Sequence, residues 1–237
     1  MNQKNKKRGG FYWKNEVPYL SVTKIIDVLD KPQLRYWYAQ MAYRATILDP
    51  TIDEKTACNE PNRVSSLSKD RGSAVHSIVE AYKNISEVVG QDGPYKQYAI
   101  AFKTFLDDHD IQILEQEKTL YSHKYMYAGT CDMVAELHDK LVLIDVKTGK
   151  DLYPTVHLQL SAYKQLLKED DIDVEDTYAL LLRDDGTYKF EQGRDKFRAF
   201  LACLELYKDL NSESLIKFGY MKGGENGNAN EETEYRI

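Results

Sequence analysis

The chain has 237 residues, a formal net charge of -6, 42% hydrophobic and 30% charged residues, an ordinary composition for a globular protein with one sizeable core. No apolar run approaches the ~20 residues that cross a bilayer, and the basic opening Met-Asn-Gln-Lys-Asn-Lys-Lys-Arg has no apolar stretch behind it, so a membrane partner and a secretory signal are set aside and a cytoplasmic protein is expected. Cys58, Cys131 and Cys203 are far apart and form no Cys-x-x-Cys pair, which argues against a zinc ribbon, an iron–sulfur cluster and a disulfide framework.

Residues 1–10 read as a flexible basic tail ending in Gly9-Gly10. Val22, Ile25, Ile26 and Leu29 have helical spacing across residues 21–29. Pro32 opens a second helix to about Tyr43, with Leu34, Trp37, Tyr38 and Met41 on one face. Residues 48–66 read as irregular. A helix from about Ser68 passes through His76 to about Tyr82, and Pro94 starts another that ends near His109.

The pattern then changes to strands. Residues 111–121, 127–137 and 141–146 are extended runs, the last two joined as a hairpin across His138-Asp-Lys140. A largely apolar helix spans about 155–168. Residues 177–182 and 187–190 make a second hairpin across Asp184-Asp-Gly186, and an amphipathic helix covers about 195–210. From 221 to 237 the chain is polar and acidic and reads as a disordered tail. This order gives an α/β (α+β) fold, a central mixed β-sheet flanked by helices. The expected organisation is one domain over 11–220: a helical N-terminal addition at 11–66 and a core at 67–220.

The chemistry-bearing segment is Gly129-Thr-Cys-Asp132 followed by Asp145-Val-Lys147-Thr-Gly-Lys150. Residues two apart on a strand share a face, so Asp145 and Lys147 project together, and Asp132 on the hairpin partner can aim at the same spot. Hard cations such as Mg²⁺ take one or two protein carboxylates and leave the remaining positions to water and substrate phosphate. A lone Asp-x-Lys is more often a surface ion pair. Its company alters that balance: His76 on an upstream helix, Gln159 and Tyr163 four apart on the following helix, and Glu117 on the preceding strand. Singly, each has a bland reading as a packing or surface residue. The acidic balance counts against tight non-specific nucleic-acid binding, yet a local groove can be basic while the back is acidic. No phosphate-binding Gly-x-x-x-x-Gly-Lys-Ser/Thr loop is present, since Ile144 and Asp151 occupy the positions that would need glycine and a hydroxyl.

Arg71-Gly72 to His76, Gly129-Thr130 to Asp132, Asp145 to Gly149, and Gln159 to Tyr163 together resemble the PD-(D/E)XK nuclease superfamily, and within it the RecB-like branch of stand-alone phage and mitochondrial exonucleases. Four motifs in this order are a far stronger signal than any one alone. The resemblance implies a restriction-endonuclease-like core and a metal-dependent DNA exonuclease with Asp132, Asp145 and Lys147 as catalytic residues. It implies Mg²⁺ or Mn²⁺ held by His76, Asp132, Asp145 and the Val146 carbonyl. Glu117 and Glu80 are its candidates for a second metal or for supporting contacts, and Gln159, Tyr163 and Arg71 for substrate positioning. The implied partners are single-stranded DNA or duplex ends, and a recombination protein. The same site would serve an endonuclease. A reading from another class is a catalytically inactive nuclease-fold module that works through protein contacts, which the acidic balance and tail favour slightly and the complete set of site residues, His76, both aspartates and Lys147, opposes.

Overall fold

The computed structural model describes residues 6–90 and 92–221, with side chains from residue 9 onward; most of the expected acidic tail, from residue 222, lies outside them. The elements are strands β1 (Lys6–Arg8), β2 (Phe11–Lys14) and β3 (Val17–Ser21), helices α1 (Val22–Ile26), α2 (Pro32–Leu48), α3 (Glu54–Glu80), α4 (Ile85–Gly90) and α5 (Lys96–Asp108), strands β4 (Ile111–Ser122), β5 (Tyr127–Leu137) and β6 (Lys140–Lys147), helix α6 (Thr155–Glu169), strands β7 (Asp176–Leu182) and β8 (Tyr188–Gln192), and helices α7 (Phe197–Leu210) and α8 (Ser212–Lys217). No helix among the described residues is long and apolar enough to cross a membrane.

The strands form one mixed sheet in the order β1-β2-β3-β5-β6-β7-β8, with β4 also paired to β5. β3 runs parallel to β5 and β6 parallel to β7, and the other pairs are antiparallel. Helices cover both faces. On one, Val22 and Ile25 of α1, Leu160 and Leu166 of α6, and Phe200 and Leu204 of α7 pack with Leu143 and Val134. On the other, Val75 and Val79 of α3 and Phe102 and Phe105 of α5 pack with Met133, Ile144 and Val146. Leu143 and Ile144 thus face opposite cores, the period of two that a doubly covered sheet requires.

The segment 11–66, expected as a helical addition, begins with strands that join the sheet. Asn15 and Glu16 both have positive φ, 49° and 65°, giving the tight two-residue turn that lets Lys14 pair with Val17. The same geometry at His138 and Asp139 closes the expected β5–β6 hairpin. Residues 6–8, assigned above to a flexible tail, pair with β2 as a short edge strand. The stretch 48–66, expected as irregular, is helical from Glu54, because α3 runs for 27 residues through Pro61. An interior proline costs a helix ~3 kcal/mol. Here the Asp53 side chain accepts from Thr56 N–H at the N-cap, Ala57 and Pro61 are buried, and α3 packs on α2, with Tyr38 donating to Asn62 next to Pro61. The helix expected over 21–29 is shorter, ending at Ile26.

Candidate active site

The site lies where two strands part. β4 pairs along the whole of one edge of β5. The other edge is shared, with β3 opposite Tyr127 and Ala128 and β6 opposite Met133 to Leu137. Between these blocks, among the described residues, 129–132 of β5 pair with no strand on that edge, and β6 continues past Ile144 paired with β7. Asp132 stands at the fork. Its Oδ2 accepts from the Val146 backbone N–H at 2.6 Å, replacing the ladder bond that the divergence removes.

The other oxygen of Asp132 looks towards α3. His76 Nδ1 is 3.6 Å from Asp132 Oδ1 and 3.6 Å from Glu117 Oε1. One ligand atom from each of His76, Glu117 and Asp132 lies within 4.8 Å of the other two. Glu117 reaches this place through a local break in β4. Gln116 donates to the Val79 carbonyl of α3, whereas Lys118 pairs with Asp170 beyond the end of α6, on the opposite face. Glu117, with φ 49°, is the residue that turns the chain between them. β5 flips at the same level, since Cys131 belongs to the α6-side core and Met133 to the α3-side core. The register is unchanged through this break, with Gln116 opposite Met133 and Lys118 opposite Cys131.

Asp145 sits on the α6 side of the fork, 1% exposed. Gln159 donates to its Oδ1 at 3.1 Å and to the Tyr163 hydroxyl at 3.0 Å. Its Oδ2 forms an ion pair with the Lys147 ammonium but has no aligned hydrogen bond. Tyr163 is fixed by Gly129, where any Cβ would overlap its ring edge and press on Val22. Asp145 is not one of the three side chains, His76, Glu117 and Asp132, that converge. The two groups meet through Asp132, which feels the charges of Asp145, Lys147 and His76. Arg71 lies on α3 with its Nε buried and without a hydrogen-bond partner. Neighbouring Gly72 faces the Thr148 hydroxyl just beyond β6. Glu80 is exposed at the end of α3 and does not join the cluster.

The electrostatics are those of a crowded anionic pocket. Burial and the neighbouring Asp145 raise the Asp132 pKa to about 7, against the opposing pull of Lys147, His76 and the Val146 N–H. Glu117 raises the His76 pKa, with Asp132 adding to it, over the opposing effect of burial. Burial alone would lower Lys147, but Asp145 and Asp132 reverse it and hold the ammonium charged. Burial lifts the Tyr163 hydroxyl far from ionisation. The donor set fits a divalent cation: carboxylate oxygens and one imidazole nitrogen, with three acids close together. Oxygen with imidazole suits Mn²⁺ as well as Mg²⁺.

Local sequence gave little reason to place Glu117 beside His76, since its position depends on a backbone turn inside a strand. A glutamate in a run of polar residues, Glu115-Gln-Glu-Lys118, reads first as surface.

No protein-family model matches the chain, and no curated protein matches it. Among solved structures, an alkaline exonuclease from Laribacter hongkongensis is similar over 57% of this chain and 92% of its own, with 12% identity and a TM-score of 0.33. The protein SSO0001 is similar over 57% of this chain and 71% of its own, with 13% identity and a TM-score of 0.29.

Proposed function

We propose that the protein is a divalent-metal-dependent nuclease of the RecB-like PD-(D/E)XK type that hydrolyses DNA phosphodiester bonds from an end. The observation that carries this reading is the fork between β5 and β6. There a His76–Glu117–Asp132 group stands beside the buried Asp145 and its half-buried ion-pair partner Lys147, and the four sequence motifs supply all of these side chains except Glu117. His76, Glu117 and Asp132 would hold Mg²⁺ or Mn²⁺, with Asp145 able to complete the set from the α6 side. A bound divalent ion supplies Lewis-acid polarisation of the scissile phosphate and a more acidic water.

The chain's own residues supply the rest. The Lys147 ammonium, held charged by Asp145 and Asp132, would orient the attacking water or neutralise charge gathering on the phosphoryl oxygens. Gln159 keeps Asp145 aimed by bonding it and Tyr163 together. Arg71, with an unpartnered buried Nε, is a candidate to meet a phosphate beside the fork. Single-stranded DNA or a duplex end is the substrate proposed, and the setting is recombination, repair or phage DNA processing, with a recombination protein as partner.

The test is digestion of end-labelled linear DNA and of closed circular plasmid with Mg²⁺, Mn²⁺ or EDTA. We expect the linear DNA to be degraded, the circle to survive, and EDTA to stop the reaction. Lys147→Ala should abolish cleavage with the far-UV circular dichroism unchanged. Cleavage of the circle would make the protein an endonuclease. Purified Lys147→Ala with near-normal activity would overturn the catalytic assignment.

A further inference from the structure

Glu117 occupies a costly backbone conformation. A non-glycine residue at positive φ within a strand persists only where its surroundings over-determine it, at ~1–3 kcal/mol. The side chains next to it on both strands provide that constraint. Thr119 and Thr130 are direct partners in the β4–β5 ladder, two residues from Glu117 and two from Asp132. Their hydroxyls meet at 3.0 Å. A third hydroxyl joins them: Tyr12 OH lies 3.2 Å from Thr130 Oγ1. Tyr12 comes from β2, 118 residues away in sequence. Its ring is buried, stands edge-on to Tyr121 at 6.3 Å, and is held in register by pairing with Tyr19 of β3.

We infer that Tyr12 is a positioning residue for the metal-binding group: through Thr130 and the Thr119–Thr130 contact, it fixes the turn that brings Glu117 and Asp132 together facing His76. The N-terminal strands are then part of the active site's support, and the nuclease core extends back to residue 11. This rests on the metal-dependent reading above. Outer contacts that orient metal ligands typically matter ~10–100-fold in affinity.

The experiment measures Mn²⁺ affinity by titration calorimetry for the full chain and for Tyr12→Phe, Thr130→Val, Thr130→Ser, the Tyr12→Phe/Thr130→Val double variant and Asp132→Asn. Tyr12→Phe keeps the ring and its packing. We expect it to weaken Mn²⁺ binding by about 10-fold, the low end for groups that support metal ligands, while circular dichroism and EDTA-state melting stay near those of the parent. Thr130→Val should do the same, the double variant should be no worse than Thr130→Val alone because Tyr12 acts through that hydroxyl, and Thr130→Ser should restore binding. Unchanged Mn²⁺ affinity in Tyr12→Phe, alongside loss of binding in Asp132→Asn, would overturn the inference and leave the metal site standing. Independent, additive losses in the double variant would also overturn it. Unchanged binding in Asp132→Asn would remove the metal reading itself.

Discussion

Replacing Asp132 with asparagine should make the metal-free protein more stable while destroying its activity. The Asp132 carboxyl is 11% exposed, and its pKa rises from 3.8 to about 7 in the fold, first through burial and then through Asp145. A raised carboxyl pKa means that the folded state binds the extra proton between those two values. Stability therefore falls as pH rises through that window, and the cost is complete above about pH 7. At ~1.4 kcal/mol per pH unit, that cost is ~4 kcal/mol. Asparagine keeps an oxygen to accept from the Val146 N–H and removes the charge, but an unmatched buried amide donor returns ~1–2 kcal/mol of the gain. The net expectation at about pH 8 is ~2 kcal/mol of added stability. For a chain of this size, that is a rise of ~4–8 °C in melting temperature.

Thermal unfolding in EDTA, followed by circular dichroism from about pH 8 down to about pH 5, reads this directly. The difference should shrink towards zero at the acid end, where wild-type Asp132 is already protonated. Adding Mn²⁺ should reverse the order, since a ligand at ~100 times its dissociation constant stabilises the parent by ~2.7 kcal/mol and the variant lacks a ligand oxygen. An Asp132→Asn protein less stable than the parent at about pH 8 without metal, or a difference independent of pH, would refute the reasoning that burial and charge crowding dominate at this carboxyl.

Two further substitutions test the α6 side of the fork. Gly129→Ala places a methyl group into the Tyr163 ring edge and against Val22; we expect ~1–3 kcal/mol of destabilisation by urea unfolding, and an unaltered midpoint would show that Tyr163 is free to move. Gln159→Leu removes the donor to Asp145 Oδ1 and to the Tyr163 hydroxyl. It should cost ~1–3 kcal/mol through the buried carboxylate left behind and lower the rate of DNA cleavage ~10–100-fold, measured by gel assay under saturating Mn²⁺; full activity would remove Gln159 from the site.

Local sequence carried the elements whose periodicity is set by neighbours: the β4–β5–β6 meander, the β7–β8 hairpin, helices α5, α6 and α7, and the sheet flanked by helices that they imply. It also carried the pairing of Asp145 with Lys147 and of Gln159 with Tyr163, because strand and helix repeats put those residues on one face. It misread 11–21 and 54–66. Two short aromatic strands have too few residues to show alternation, and Pro61 with its polar neighbours obscured a helix that is secured by packing on α2. Only the tertiary structure decided how the acids divide. Asp145 turns to α6, while Asp132 and Glu117 turn to His76. That division follows from β5 and β6 separating beyond Met133 and Ile144, and from a positive-φ turn at Glu117 braced by hydroxyls of Thr119, Thr130 and the distant Tyr12. Neither leaves a local pattern: the separation arises from β3 and β6 sharing one edge of β5, and the turn is braced through Tyr12, 118 residues from Thr130.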